Sequence, residues 1–278
     1  MVDFRKFGLR FGGGSLWLCE MDEVLTKPGT QTNSAEVLAD SKYLQERTRP
    51  SYGDLFFLSL KDVREFVARC APNFEGMVMD YGCGGSPYRE LFTRASPYIR
   101  ADMLAGPKVD LVLSAEGKTE EPAGVYSGVV SFQVLEHVKE PWEYLNECHR
   151  LLSKGGLLLL TTHGMYLEHK CPDDYYRWTS QGLEALVRAQ GFEIVESAKL
   201  TTGLRGGIQL QHYLVEDFIH RERTFGGLVL RGFRRVYRKV MQPLLNAAAD
   251  RFLRQEAVVS GEGKANLYVG VAVLARKM

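Results

Sequence analysis

The chain has 278 residues, enough for one complete α/β domain with a sizeable addition. Its 35 Lys and Arg against 34 Asp and Glu leave a net charge of +1, which removes any global reason to expect a polyanionic partner, so nucleic acid is not expected. The five cysteines, Cys19, Cys70, Cys83, Cys148 and Cys171, form an odd set without CxxC spacing; with no signal-peptide h-region and no run of about 18 apolar residues, the reading is a cytoplasmic protein without disulfides or a structural zinc site.

Residues 1–41 read as a peripheral segment, closing in a polar, turn-rich linker at 27–41. Ser59 and Asp62 make a capping pattern, and Leu60, Val63, Phe66, Val67 and Cys70 recur at helical spacing, so an amphipathic helix is expected to end before Pro72. From Met77 short apolar runs alternate with amphipathic stretches, the pattern of parallel strands joined by crossover helices. Strands are expected at 77–81, 98–102, 109–113, 128–132 and 156–162. The clearest helix is 141–152, with Trp142, Leu145, Cys148, Leu151 and Leu152 as its buried stripe and Lys154-Gly155-Gly156 as its stop. Another helix runs from Thr179-Ser180 to about 190 and leads to a sixth strand at 192–200; the seventh is 266–275. Roughly sixty residues separate these last two strands where a hairpin loop of about 2–5 is ordinary. A folded insertion is therefore expected over 201–264, with helices near 208–222 and 227–255. The main domain comprises 42–200 and 265–278.

Ligands of an open parallel sheet bind beyond the carboxyl ends of its strands, so the loop after the first strand is read first. It is Asp80-Tyr81-Gly82-Cys83-Gly84-Gly85-Ser86-Pro87. Glycines let the backbone turn sharply and approach a ligand closely, while Ser86 as cap and Pro87 at the first helical position are expected to open a helix whose positive end favours a carboxylate. Gly82 and Gly84 match the first two positions of the dinucleotide pattern G-x-G-x-x-G, but Pro87 stands at the third. The Asp80 carboxylate would repel phosphates and attract an ammonium, so a small zwitterion fits better than a pyrophosphate. A turn serving topology alone is the plain alternative.

The run VMDYGCGGSPYRELF, then YIRADM, then VVSFQVLEHVKEPWEYLNECHRLLSKGGLLLLTT, resembles class I S-adenosylmethionine-dependent methyltransferases of the methyltransferase type 11 group, over about 77–200. The resemblance implies the Rossmann-like fold of that class: a seven-stranded, mostly parallel sheet whose last strand is antiparallel. It implies S-adenosylmethionine as donor and S-adenosylhomocysteine as product. The glycine loop then holds the methionine part, a role falling on Asp80, Gly82, Cys83 and Gly84, and the acidic residue ending the second strand, Asp102, holds the ribose hydroxyls. A carboxylate accepting from both hydroxyls of a diol is sound chemistry in its own right, with a turn or cap residue as the alternative. Adenine is expected near Ser114 and Ala115, with Met103 over its face, although this chain has EEPAGVYSG where the family carries an LPF-type segment and a Phe-Asp. Gln133, after the fourth strand, is a further donor contact.

His137, His163 and His169 are the candidate general bases. The segment 161–179, TTHGMYLEHKCPDDYYRWT, is unusually polar and aromatic for a connector and is read as acceptor pocket, through His169, Asp174, Tyr175, Tyr176 and Arg177. An ion-paired buttress is the competing reading, and His-x5-His-x-Cys lacks established ligand spacing, so no metal is expected. Its P-x-D-Y-x-R-x-T pattern is similar to a subset of these enzymes associated with polysaccharide and secondary-metabolite gene clusters, which suggests a sugar-related acceptor. The insertion carries RGFRRVYRKV at 231–240, with five basic and no acidic residues, suited to a solvated face, a membrane surface or a phosphate-bearing ligand; the insertion is also placed to cover the donor pocket or to form a homodimer interface. The expected function is O-methylation of a small-molecule or glycan-linked acceptor by in-line displacement. The alternatives are a quinone or lipid-like acceptor, and a non-catalytic scaffold.

Overall fold

The computed structural model describes residues 42–169, 173–221, 226–261 and 265–278; the expected peripheral segment 1–41 and Cys171 lie outside them. A short helix α1, residues 42–48, precedes α2, Phe57–Cys70, which turns Leu58, Val63, Phe66, Val67 and Cys70 inward. The expected start of α2 at Ser59 is corrected. The Ser59 hydroxyl donates to Phe56 O (3.0 Å) and meets Tyr213 Oη (3.1 Å), and Asp62 is buried against Arg205, so tertiary partners have claimed both capping side chains.

The strands are β1, Gly76–Tyr81; β2, Ala95–Asp102; β3, Leu111–Val112; β4, Tyr126–Phe132; β5, Leu152–His163; β6, Phe192–Thr202; β7, Val258–Ser260; and β8, Tyr268–Lys277. They form one sheet in the order β3-β2-β1-β4-β5-β8-β6-β7. Neighbours from β3 to β5 are parallel, whereas β8 runs antiparallel to both β5 and β6. The expected Rossmann-like, mostly parallel sheet with an antiparallel last strand is present, with β7 as an eighth, short strand antiparallel to β6 that the sequence reading did not include.

Parallel strands covered on both faces need apolar side chains on both sides, and β1, β4 and β5 meet that demand. On one face pack α3, Pro141–Leu151, and α4, Ser180–Ala189, through Leu145, Leu151, Leu183 and Val187; on the other packs α2, through Phe66 and Val67. Two details of α3 are corrected. Trp142 is exposed, and the buried stripe is Tyr144, Leu145, Cys148 and Leu151. The helix stops because Leu152 is already extended and begins β5; Gly155, at φ +78°, lies within the strand, where pairing with β4 shifts register. The start of α4 is as expected, with the Thr179 hydroxyl accepting from Gly182 N (3.0 Å).

The insertion begins directly after β6 with α5, Gly203–Arg221, ahead of the expected 208, and continues through α6, Gly226–Val236, a π-helical turn Tyr237–Met241, and α7, Gln242–Phe252. Buried polar contacts tie it to α2 and the segment before it. Arg205 donates to Asp62 Oδ1 (2.5 Å) and Oδ2 (2.8 Å), and Asp62 also accepts from Thr201. His212 contacts Tyr237 Oη (2.7 Å) and Asn246 Oδ1 (3.0 Å), while Asn246 donates to Tyr52 O. Among the described residues, no helix is long and apolar enough to cross a membrane.

Candidate functional site

Because β1, β4 and β5 are parallel, the loops following Tyr81, Phe132 and His163 emerge at one edge of the sheet. The glycine loop turns at Gly82, with φ +81°, and at Gly84, with φ +48°. A Cβ on Gly82 would stand 2.7 Å from Val134 Cγ2 and 2.9 Å from Cγ1, so the loop lies tight against the segment after β4. The helix expected after the loop is absent. Ser86 takes φ +50°, its hydroxyl donates to Asp80 Oδ2 (2.5 Å) rather than capping, and only a single 3₁₀ turn, Arg89–Leu91, precedes β2. The glycine loop therefore leads into no α-helix, and the expected dipole contribution from that position is corrected.

Asp80 is buried, and burial pushes its carboxyl up to about 7 against the pull of the Ser86 hydroxyl. It braces the loop from beneath. Cys83 is likewise buried, which pushes its thiol up and leaves it a packing residue. Asp102, at the end of β2, accepts from Gly84 N (2.8 Å) and Leu104 N (3.1 Å), linking the second strand end to the glycine loop. Each carboxylate oxygen keeps a second lone pair for a diol. Met103 is half exposed beside it. Ser114 and Ala115 are exposed in a turn, where the Ser114 hydroxyl accepts from Glu116 N and Lys118 N.

Gln133 takes φ +56°, uncommon for a side-chain-bearing residue. Its backbone and amide nitrogens donate to Thr161, while Oε1 is buried without a hydrogen-bond partner. A buried acceptor left open next to a glycine cradle suits an ammonium-bearing ligand, and with Asp102 it makes these residues fit the donor that the resemblance implies. One element of the cradle had no signal in the sequence. Helix α1 lies across the loop: a Cβ on Gly85 would meet Leu44 Cδ2 at 3.1 Å and Tyr43 Cε1 at 3.2 Å.

The three candidate bases come together around Glu136. This residue is fully buried in the turn after β4, and burial raises its carboxyl although His137 and Thr162 oppose the rise. His163 Nε2 lies 3.1 Å from Glu136 Oε1, and the His169 ring centroid is 4.9 Å from that of His137 and 5.1 Å from that of His163. Burial, then the neighbouring His169 and Arg177, holds His163 well below the ordinary imidazole range; burial and His137 lower His169 to about 4. Both rings are neutral bases at neutral pH. His137 Nδ1 donates to Asp173 O (2.5 Å), and its Nε2 lies 4.0 Å from Glu136 Oε1.

The rest of the 161–179 segment holds this cluster in place. Asp174 accepts from Arg177 through both oxygens (2.6 Å each) and from His169 N (2.8 Å); Arg177 also donates to Tyr166 O and Leu167 O. Tyr175 N and Tyr176 N donate to Glu136 O, and the Tyr176 hydroxyl donates to Lys139 O. Tyr175 is exposed, its hydroxyl on Asp173. Tyr166, outside the expected set, stacks on His163 at 3.9 Å and packs against Tyr213 of α5, so the insertion contributes a wall here.

Residues 57–197 match a family model described as a methyltransferase domain, just over half of the chain. Among curated proteins, the ubiquinone biosynthesis O-methyltransferase of Xanthomonas axonopodis pv. citri (strain 306) is 32% identical over 120 residues, 37% of this chain and 50% of that protein. The protein of the same name from Caulobacter sp. (strain K31) is 30% identical over 105 residues, 32% of this chain and 42% of that protein. The chain thus spans half or less of the length of these curated relatives. Among solved structures it is similar in fold to the [4+2]-cyclase SpnF, with a TM-score of 0.51 and 16% identity over 83% of this chain and 84% of that one.

Proposed function

The chain belongs to the methyltransferase-domain family, whose methyl donor is S-adenosylmethionine, and we propose that it transfers that methyl group to an oxygen of a small-molecule or glycan-linked acceptor. Fold likeness does not choose the reaction, since a cyclase shares the architecture. The observation that carries the acceptor reading is the convergence of three imidazoles, His137, His163 and His169, beyond the carboxyl ends of the neighbouring strands β4 and β5, with burial keeping His163 and His169 neutral. A sulfonium is a good leaving group, so the protein's work is to align the acceptor and exclude water. For a hydroxyl acceptor, an imidazole within hydrogen-bond reach takes the proton as the oxygen attacks the methyl carbon and the carbon–sulfur bond breaks. In this reading Asp102 and Gln133 hold the donor, with Met103, Ser114 and Ala115 beside its adenine, and His169 lies toward the acceptor.

A quinone or lipid-like acceptor is the second reading. It is favoured by the names of the curated relatives and by Leu214, Phe218, Val229, Phe233 and Val236, all exposed on the insertion helices near the basic run at 231–240. The test begins with calorimetric titration of S-adenosylmethionine and S-adenosylhomocysteine, followed by an acceptor screen that reads S-adenosylhomocysteine release from phenols, sugar hydroxyls and quinols. Saturable donor binding with release on hydroxyl acceptors supports the first reading, and release on quinols alone supports the second. Absence of binding by folded protein would leave a non-catalytic scaffold.

A further inference from the structure

We propose that Glu136, His163 and His169 form a binding site for one divalent ion of the zinc class, with a coordination position left open for an oxygen ligand. The three residues come from separate places in the chain: Glu136 from the turn after β4, His163 from the last position of β5, and His169 from the loop beyond it. Each offers one ligand atom, and the three atoms lie within 4.8 Å of one another. The 3.1 Å between His163 Nε2 and Glu136 Oε1 is close to the ligand-to-ligand edge of roughly 3.3 Å that zinc bonds of about 2.0–2.1 Å produce in a tetrahedron.

Two further observations point to a ligand. Glu136 Oε1 and His169 Nδ1 are buried and make no hydrogen bond, although His163 Nε2 stands 3.1 Å from the first and Asp174 Oδ2 3.4 Å from the second, so neither polar atom is satisfied by directed bonding. The supporting contacts are those a ligand set needs. Thr162 Oγ1 donates to Glu136 Oε2 (2.8 Å) and turns Oε1 toward the histidines, Tyr166 stacks on His163, and Asp174 holds the His169 backbone while the Arg177 guanidinium is paired with that same Asp174. Two imidazoles and one carboxylate make the donor set of open zinc sites and suit magnesium or calcium poorly. The His-x5-His-x-Cys spacing weighed from sequence is a different set; here His163 and His169 are joined by a carboxylate far from both in the chain.

A metal ion here would take the lone pairs of His163 and His169 and leave His137 as the imidazole for the proposed proton transfer, and the site can be tested with the metal alone. The untagged 278-residue chain, stripped with a chelator, is titrated with Zn²⁺ by calorimetry and with Co²⁺ by visible absorption. One saturable equivalent is expected, with the absorption of four-coordinate cobalt. His169→Ala and Glu136→Gln should each lower the affinity at least about tenfold. His169 lies on a loop, so that variant decides the matter if Glu136→Gln does not fold, with circular dichroism as the check. Either no saturable binding, or the same affinity in folded His169→Ala, overturns the site and leaves a His163–Glu136 ion pair.

Discussion

Replacing Gly82 by alanine separates two physical costs at the donor loop. The residue sits at φ +81°, and the added Cβ would lie 2.7 and 2.9 Å from the two methyls of Val134. The left-handed conformation costs about 1–2 kcal/mol for a residue with a Cβ, and crowding a packed contact about 1–3 kcal/mol. Together they make about 2–5 kcal/mol, a fall in Tm of about 4–20 °C for a domain of this size. Val134→Ala removes both offending methyls. In the double variant the crowding disappears and only the conformational cost remains, so the two substitutions should couple favourably by about 1–3 kcal/mol. The assay is urea unfolding of wild type, both single variants and the double variant, with S-adenosylhomocysteine affinity measured on each. Strict additivity would refute the packing argument, and Gly82→Ala that is destabilised yet binds the nucleoside with full affinity would remove the loop from the donor site.

Asp102→Ala should lower S-adenosylhomocysteine affinity at least about tenfold, because it removes a charged acceptor from the ribose position and from Gly84 N and Leu104 N together; unchanged affinity in calorimetry sinks the assigned role. Arg205→Ala strands the buried Asp62 and should cost about 3–5 kcal/mol in chemical unfolding, whereas Asp62→Leu with Arg205→Met should recover most of it. A loss below about 1 kcal/mol for the single variant would show that the pair does not anchor the insertion. The His163 imidazole is held below its unfolded value, so its contribution to stability is present above about 6.5 and declines as pH falls below it. Asp62 and Asp80, both raised to about 7, act in the opposite direction, so the informative quantity is wild type minus His163→Gln, measured with chelator present. That difference should shrink between pH 7.5 and 5, and a constant difference would refute the burial argument.

What the sequence determined by itself is what depends on near neighbours in the chain. Strand and helix periodicity placed β1 to β6 and β8, and the glycines of the first loop announced a turn that Gly82 and Gly84 make with positive φ. The hydroxyl of Thr179 caps α4 as its spacing suggested. Errors arose where a side chain had two uses and the folded surroundings, near or distant in the chain, chose between them. Ser59 and Ser86 both carry cap-forming hydroxyls, yet Tyr213 and Phe56 hold one and Asp80 the other. Trp142 fits the apolar stripe of α3 but faces outward, because packing against the sheet sets the rotation of a helix and periodicity alone does not. The site was decided almost wholly by tertiary structure. His137, His163 and His169 were legible as residue types, but their convergence on Glu136, which in sequence is an ordinary acidic residue, exists only because β4 and β5 pair in register. The same holds for Tyr43 and Leu44 against the glycine loop, and for Arg205, which anchors the insertion through a carboxylate more than a hundred residues away. Local pattern carries the energy of the elements, whereas a buried charge or an open lone pair acquires meaning only from what the fold brings to face it.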